Sequence, residues 1–199
     1  MLRSSSNSTL APRTCKFSQT CYQSLLEVVL LTSPRSWVFS DQMPDDMLGS
    51  VPYYSPAGSS TSKLQQGKTF NVTYGDGDNA SGIVYTDKVV IGGVTAAELP
   101  VEAATSVSAS ILKNGGYSGL LGLGLPKGNQ CQPERCEIFT EKEKSAFPAK
   151  VFCADLKNGA PGTFDFGYID SSKYQGNIVY TVSWTHEYTY CLSLDLHGD

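Results

Sequence analysis

The sequence is poor in the features that mark several large functional classes. Charged residues make up only 17% of its 199 positions, and 15 Lys+Arg against 19 Asp+Glu leave a formal net charge of -4. A nucleic-acid footprint needs a clustered basic face, so no nucleic-acid partner is expected. No apolar run approaches the roughly 18–20 residues that cross a bilayer as a helix, so no membrane partner is expected either. Only two histidines occur, His186 and His197, and neither stands at metal-ligand spacing from a cysteine pair, so no metal site is expected. There is no Gly-x-Ser-x-Gly elbow, which disfavours a serine hydrolase. Nothing places a histidine beside a cysteine, as a cysteine nucleophile would require. The opening MLRSSSNSTLAPR has no apolar stretch after Arg3, so no signal peptide is visible.

What is present reads as mostly β. The chain has 19 Gly, 10 Pro, 11 Tyr and 8 Phe, a composition that suits many short strands and turns. Residues 67–74 (GKTFNVTY) alternate, with Phe70, Val72 and Tyr74 on one strand face. A dense turn signal, Gly75 to Asn79, separates them from a second strand at Ile83 to Ile91, so the pair reads as a long hairpin with Asp76-Gly77 at its tip. The tip has carboxylates two apart, as a calcium loop does, but the next alternate position is Ala80 and the flanks are strands, which argues against calcium. Further strands are expected at 149–156, 163–169 and 177–183, and a short helix at 137–146 with Ile138 and Phe139 turned inward.

The run from Gly119 to Gly128 ends without the Gly-Lys-Ser/Thr of a phosphate loop, and no βαβ setting surrounds it. It reads instead as a tight core strand whose glycines let two backbones approach closely. Six cysteines (Cys15, Cys21, Cys131, Cys136, Cys153, Cys191) allow about 15 pairings, and only Cys131 and Cys136 are near enough to suggest a small loop. Asn-x-Ser/Thr triplets at Asn7, Asn71 and Asn79 permit glycosylation if the chain is secreted.

Five blocks in order, WVFSDQMP, YYSPAGSSTSK, VTYGDGDNASGIVYTDKVVIGGV, GLLGLGL and APGTFDFGYIDSSKYQGNIVYT, resemble the pepsin family of aspartic endopeptidases. The likeness is to the secreted fungal branch, which is penicillopepsin- and aspergillopepsin-like, and it runs from about Trp37 to Tyr180. It implies a single N-terminal lobe of the bilobal fold, mostly β with one or two short helices. It also implies secretion, no cofactor, and a polypeptide substrate or peptide-like inhibitor as partner. By the same resemblance Tyr74 is the flap tyrosine, Gly75 and Asp76 are flap positions that hydrogen-bond substrate, and Trp37 holds the tyrosine hydroxyl. Ile111 and Leu120 then line the main hydrophobic specificity pocket, and Leu120-Leu121-Gly122 packs beneath the catalytic loop.

The pattern departs from the family where the chemistry is carried. The catalytic Asp-Thr-Gly-Ser turn belongs seven residues before the tryptophan, and here Leu30 occupies the aspartate's place, with Ser33 the one residue retained. The second Asp-Thr-Gly belongs to the other lobe and is not found among these residues. No catalytic residue is therefore assigned, and the chain is expected to be a truncated, inactive relative. The alternative is a non-catalytic pseudoprotease that binds a peptide or inhibitor. Residues 1–36 and 184–199 read as divergent segments around 37–183, which the resemblance makes the N-terminal lobe and the start of the inter-lobe sheet. The abruptness of the change near Trp37 points to another reading frame or an unspliced intron.

Overall fold

The computed structural model describes residues 14–15, 28–30, 34–91, 94–113, 117–124, 131–143, 145–149, 151–156, 163–178 and 189–194. They divide between two compact units, one within Thr9–Lys142 and the other within Glu143–Asp199. Most of the two divergent segments lies outside the described residues.

In the first unit the strands are β1 (Thr14–Cys15), β2 (Val28–Leu30), β3 (Trp37–Phe39), β4 (Tyr53–Tyr54), β5 (Lys63–Thr73), β6 (Asn79–Ile91), β7 (Val94–Val107), β8 (Gly119–Gly122) and β9 (Cys131–Gln132). Seven of them form one mixed sheet in the order β2-β8-β3-β7-β6-β5-β9, while β1 pairs in parallel with β4. The expected hairpin is β5 with β6, antiparallel and in register from Thr69↔Ile83 to Thr73↔Asn79. Its alternation follows the sequence pattern: Phe70 and Val72 are buried, Asn71 and Thr73 are exposed, and Tyr74 packs against the core edge. β6 begins at Asn79, four residues before the expected start.

Three helices of one turn are described, α1 (Asp45–Leu48), α2 (Ala109–Lys113) and α3 (Phe139–Lys142), where one or two were expected. α3 is much shorter than the 137–146 reading. Ile138 and Phe139 are buried as expected, but residues 143–146 (EKSA) offer no large apolar side chain that could extend the packed face. Helices in proteins persist mainly where such a face is buried, so this one stops.

The second unit holds β10 (Val151–Leu156), β11 (Thr163–Phe166) and β12 (Thr189–Leu194), in the order β11-β10-β12. β10 is antiparallel to β11 and parallel to β12, which sets Cys153 directly opposite Cys191 along the backbone. Of the strand expected at 177–183, residues 177–178 are irregular and 179–183 lie outside the described residues.

The core of the first unit gathers Trp37, Phe39, Phe70, Val72, Ala80, Val84, Ala104, Ile111 and Leu120 between the hairpin and β3, β7 and β8. Glycine is what allows the centre to close. A Cβ on Gly119 would lie 2.4 Å from the Trp37 carbonyl oxygen, and one on Gly122 would lie 2.4 Å from that of Arg35. The close backbone approach read from the glycine-rich run is therefore present on β8. Cys131 and Cys136 form a disulfide.

Candidate functional site

Four elements converge on one corner of the first unit. β3 supplies Trp37, the hairpin turn supplies Tyr74 to Asp78, α2 supplies Ile111, and β8 supplies Leu120. Trp37, Ile111 and Leu120 are all buried in one cluster, and Tyr74 packs against it half-buried. The structure thus brings these four sequence-derived residues together, while Gly75 and Asp76 stand exposed on the turn above them.

Trp37 is 0% exposed, and its indole Nε1 donates a 2.7 Å hydrogen bond to the Tyr74 hydroxyl. This one bond joins the turn to the sheet floor. The surroundings favour a neutral phenol: burial, then the nearby Glu102 charge, raise the Tyr74 pKa above its ordinary 10.0, opposed by the Trp37 hydrogen bond and Arg35. Tyr117 is raised as well, first by burial and then by Asp78 and Asp76. Its ring lies 6.5 Å from that of Phe39, which in turn lies 5.7 Å from Trp37. An aromatic row therefore backs the corner.

The turn is closed from within by Tyr74 N–H donating to the Asp78 carbonyl (2.7 Å) and Gly77 N–H donating to the Tyr74 carbonyl (3.0 Å). Gly77 adopts φ +90°, a backbone state that glycine reaches without a steric penalty. The Asp76 carboxylate accepts from the Asp78 N–H at 3.0 Å. This leaves Gly75 and Asp76 presenting polar backbone to solvent beside an apolar floor. Such an edge can hydrogen-bond an extended polypeptide laid across it.

Several contacts at this corner were not foreseen from the sequence. Ser110 Oγ donates to the Asp78 carboxylate, Asn79 N–H donates to Ser108 Oγ (2.9 Å), and Ser108 N–H returns to the Asn79 carbonyl (2.9 Å). Arg35 Nη1 donates to the Asn71 carbonyl at 2.8 Å, tying the segment before β3 to the hairpin. Glu102 is buried on β7, in register with Trp37, and its Oε1 lies 3.6 Å from Cys131 Sγ. A charged residue inside the apolar stretch VEAA was the one available signal for it. Glu102, Cys131 and Cys136 bring their ligand atoms within 4.8 Å of one another, but the two sulfurs are bonded to each other and offer no thiolate.

On the other side of the corner, β2 pairs in parallel with β8, and Leu30 is the backbone partner of Gly122. The Gly122 N–H also donates to Ser36 Oγ at 3.0 Å. Leu30 therefore ends its strand beside the Leu120-Leu121-Gly122 segment.

A model of the eukaryotic aspartyl protease family matches residues 21–196. Among curated proteins, penicillopepsin-3 of Penicillium janthinellum is 45% identical over 145 residues, covering 73% of this chain and 36% of that protein. Podosporapepsin of Podospora anserina is 42% identical over 156 residues (75% and 37%), and endothiapepsin of Cryphonectria parasitica is 40% identical over 151 (76% and 36%). The chain spans little more than a third of the length of these relatives.

Proposed function

This chain belongs to the eukaryotic aspartyl protease family, and on that premise we propose that residues 37–183 form a secreted, peptide-holding lobe of the aspartic-endopeptidase type. Its ligand is a polypeptide, or a peptide-like inhibitor, bound without metal or organic cofactor. Tyr74, Gly75 and Asp76 act as the flap, Trp37 holds the flap through the Tyr74 hydroxyl, and Ile111 and Leu120 line the apolar subsite. The observation that carries this reading is the 2.7 Å bond from Trp37 to Tyr74 over a floor that contains both pocket residues.

The reaction of the family needs two carboxylates sharing one proton, one to activate water and one to protonate the scissile carbonyl. Leu30 stands where the first of them belongs, and an alkyl side chain can neither accept nor deliver a proton. We therefore assign this chain no hydrolytic step. Its own residues supply binding: the flap offers backbone groups to an extended peptide, and the pocket excludes water from an apolar side chain. The second reading, a non-catalytic pseudoprotease that holds a peptide or inhibitor, rests on the same leucine beside an otherwise matching corner.

Two assays on the full chain test this. On denatured protein at acid pH, no cleavage is expected. On an immobilised peptide that mimics the tetrahedral transition state, retention is expected. Cleavage blocked by that same peptide overturns the inactive assignment, and absence of both cleavage and retention overturns the binding assignment. Transcript sequencing across the codons for residues 14–36 addresses the divergent segment: an in-frame Asp-Thr-Gly upstream of Trp37 would restore the enzyme.

A further inference from the structure

Two Asn-x-Ser/Thr triplets fall on the hairpin, Asn71-Val72-Thr73 on β5 and Asn79-Ala80-Ser81 on β6. The strand register sets them back to back: Asn71 faces Ser81, Val72 faces Ala80, and Thr73 faces Asn79. Alternation along a strand puts residues two apart on the same face, and directly opposed residues share a face. Val72 and Ala80 turn into the core, so the four acceptor and hydroxyl residues stand together on the opposite, outward face. Asn71, Thr73 and Asn79 are exposed and Ser81 is half-exposed.

We propose that this outward face of the hairpin is an N-glycan attachment site with Asn71 and Asn79 as acceptors. The inference rests on the secretory routing in the function proposed above, because the transfer takes place on that route. The co-reactant is an oligosaccharide carried as its lipid diphosphate. The asparagine Nδ2 forms a bond to C1 of the first sugar, and the C1–O bond to the diphosphate breaks. The lipid diphosphate leaves with the electron pair, the amide loses one proton, and nothing is oxidised or reduced.

The placement has a consequence for the corner below. Asn71 and Asn79 are diagonal neighbours across the pair, with Cβ atoms about 7 Å apart in such a geometry. Sugar at either position therefore covers the same stretch of solvent-facing strand. Phe70, Val72 and Ala80 face the other way, so the bond between Trp37 and Tyr74 and the apolar floor keep their partners. The Asn71 backbone carbonyl that Arg35 contacts is likewise untouched by a change at its side-chain amide.

The test expresses the full chain in yeast behind an added cleavable secretion leader and collects total cell protein, so that export is not required. An endoglycosidase that leaves one N-acetylglucosamine on each modified asparagine supplies the tag, which fragmentation mass spectrometry assigns to a residue. The expected result is a tag on Asn71, Asn79 or both. It disappears from the hairpin in the N71Q/N79Q double variant and in T73V/S81A, which keeps both asparagines. Digestion of the folded protein should remove the sugar as completely as digestion after denaturation. A tag on Asn7 with none on the hairpin overturns the proposal while showing that routing succeeded. So does a hairpin glycan that resists digestion until the fold is lost. Retention on the immobilised peptide is measured on the same material: glycosylation without retention sinks the functional reading alone, and retention without glycosylation sinks this one alone.

Discussion

At the base of the β5–β6 hairpin, Asp87 is 0% exposed and its carboxylate gathers donors from three directions. Tyr54 Oη and Ser59 Oγ each donate at 2.9 Å, Thr61 Oγ1 donates to the same oxygen as Ser59, and the Lys88 N–H donates at 2.7 Å. At the tip, Asp78 is only half-buried and its carboxylate is met by Ser110. One aspartate is buried beneath four donors, and the other sits on a turn whose firmest tie to the sheet is a single tyrosine hydroxyl. The hairpin is thus a lever with an anchored base and a lightly held tip. A segment that opens and shuts over a cleft needs that gradient, because motion at low free-energy cost requires few buried contacts at the moving end.

The sharpest way to break this contrast is at the base. Asp87→Ala strips the acceptor from three hydroxyls and one amide, and should cost about 3 kcal/mol of unfolding free energy, read by urea denaturation. Asp87→Asn keeps the volume and should recover part of that loss, which separates lost hydrogen bonding from an empty cavity. Tyr54 would report the same change: burial first, and then the Asp87 charge, hold its pKa well above the ordinary tyrosine range. If Asp87→Ala proves neutral, the base is not the anchor and the lever picture fails.

A smaller effect is expected where tip meets floor. Tyr74→Phe leaves the buried Trp37 N–H without its acceptor and should cost about 1.5 kcal/mol. It should also weaken retention on the immobilised transition-state mimic. Burial of the same phenol gives a pH dependence, against the opposing pull of the Trp37 bond. The folded Tyr74 pKa lies above its ordinary 10.0, so the folded state favours the neutral phenol. Its contribution is fully present below about pH 10 and is lost as pH rises through the folded value. Tracking tyrosinate absorbance alongside Trp37 fluorescence checks the sign; ionisation of Tyr74 below pH 10 would contradict it.

How much of this was legible in the sequence follows from which residues obey a local rule. The hairpin was, because Phe70, Val72 and Tyr74 alternate and Gly75–Asn79 can only be a turn. The Gly119 and Gly122 approach was, because nothing but a backbone fits against them. β7 was not read as a strand. Its residues Val101 to Ala104 are buried consecutively, since β6 lies on one side, β3 on the other and the sheet is covered there, so the period-two signal is erased. The site residues assigned by resemblance converge, yet their tethers do not show in the sequence. Ser108, Ser110 and Arg35 belong to segments distant in sequence from the hairpin residues they touch, and only the fold brings them there. Nothing local in the sequence marks Asp87, whose donors Tyr54, Ser59 and Thr61 reach it only because the 53–62 segment folds over it.

The smallest predicted effect is the most diagnostic of the tip. Ser110→Ala removes one hydroxyl from a partly solvated position, so global stability should fall by no more than about 0.5 kcal/mol. The Asp78 carboxylate then returns to water, which replaces most of what the serine gave it. Local opening is another matter. The amides of Asn79 and Ser108 are tied to each other's residues just beyond Asp78, and each is released only when the tip lifts from α2. Hydrogen exchange at those two amides should therefore quicken several-fold in Ser110→Ala while amides around Asp87 keep their wild-type rates. A matching acceleration at both ends would mean the hairpin opens as one body from base to tip. Selective acceleration at the tip would mean that Ser110 and Asp78 hold the end of the lever and little else.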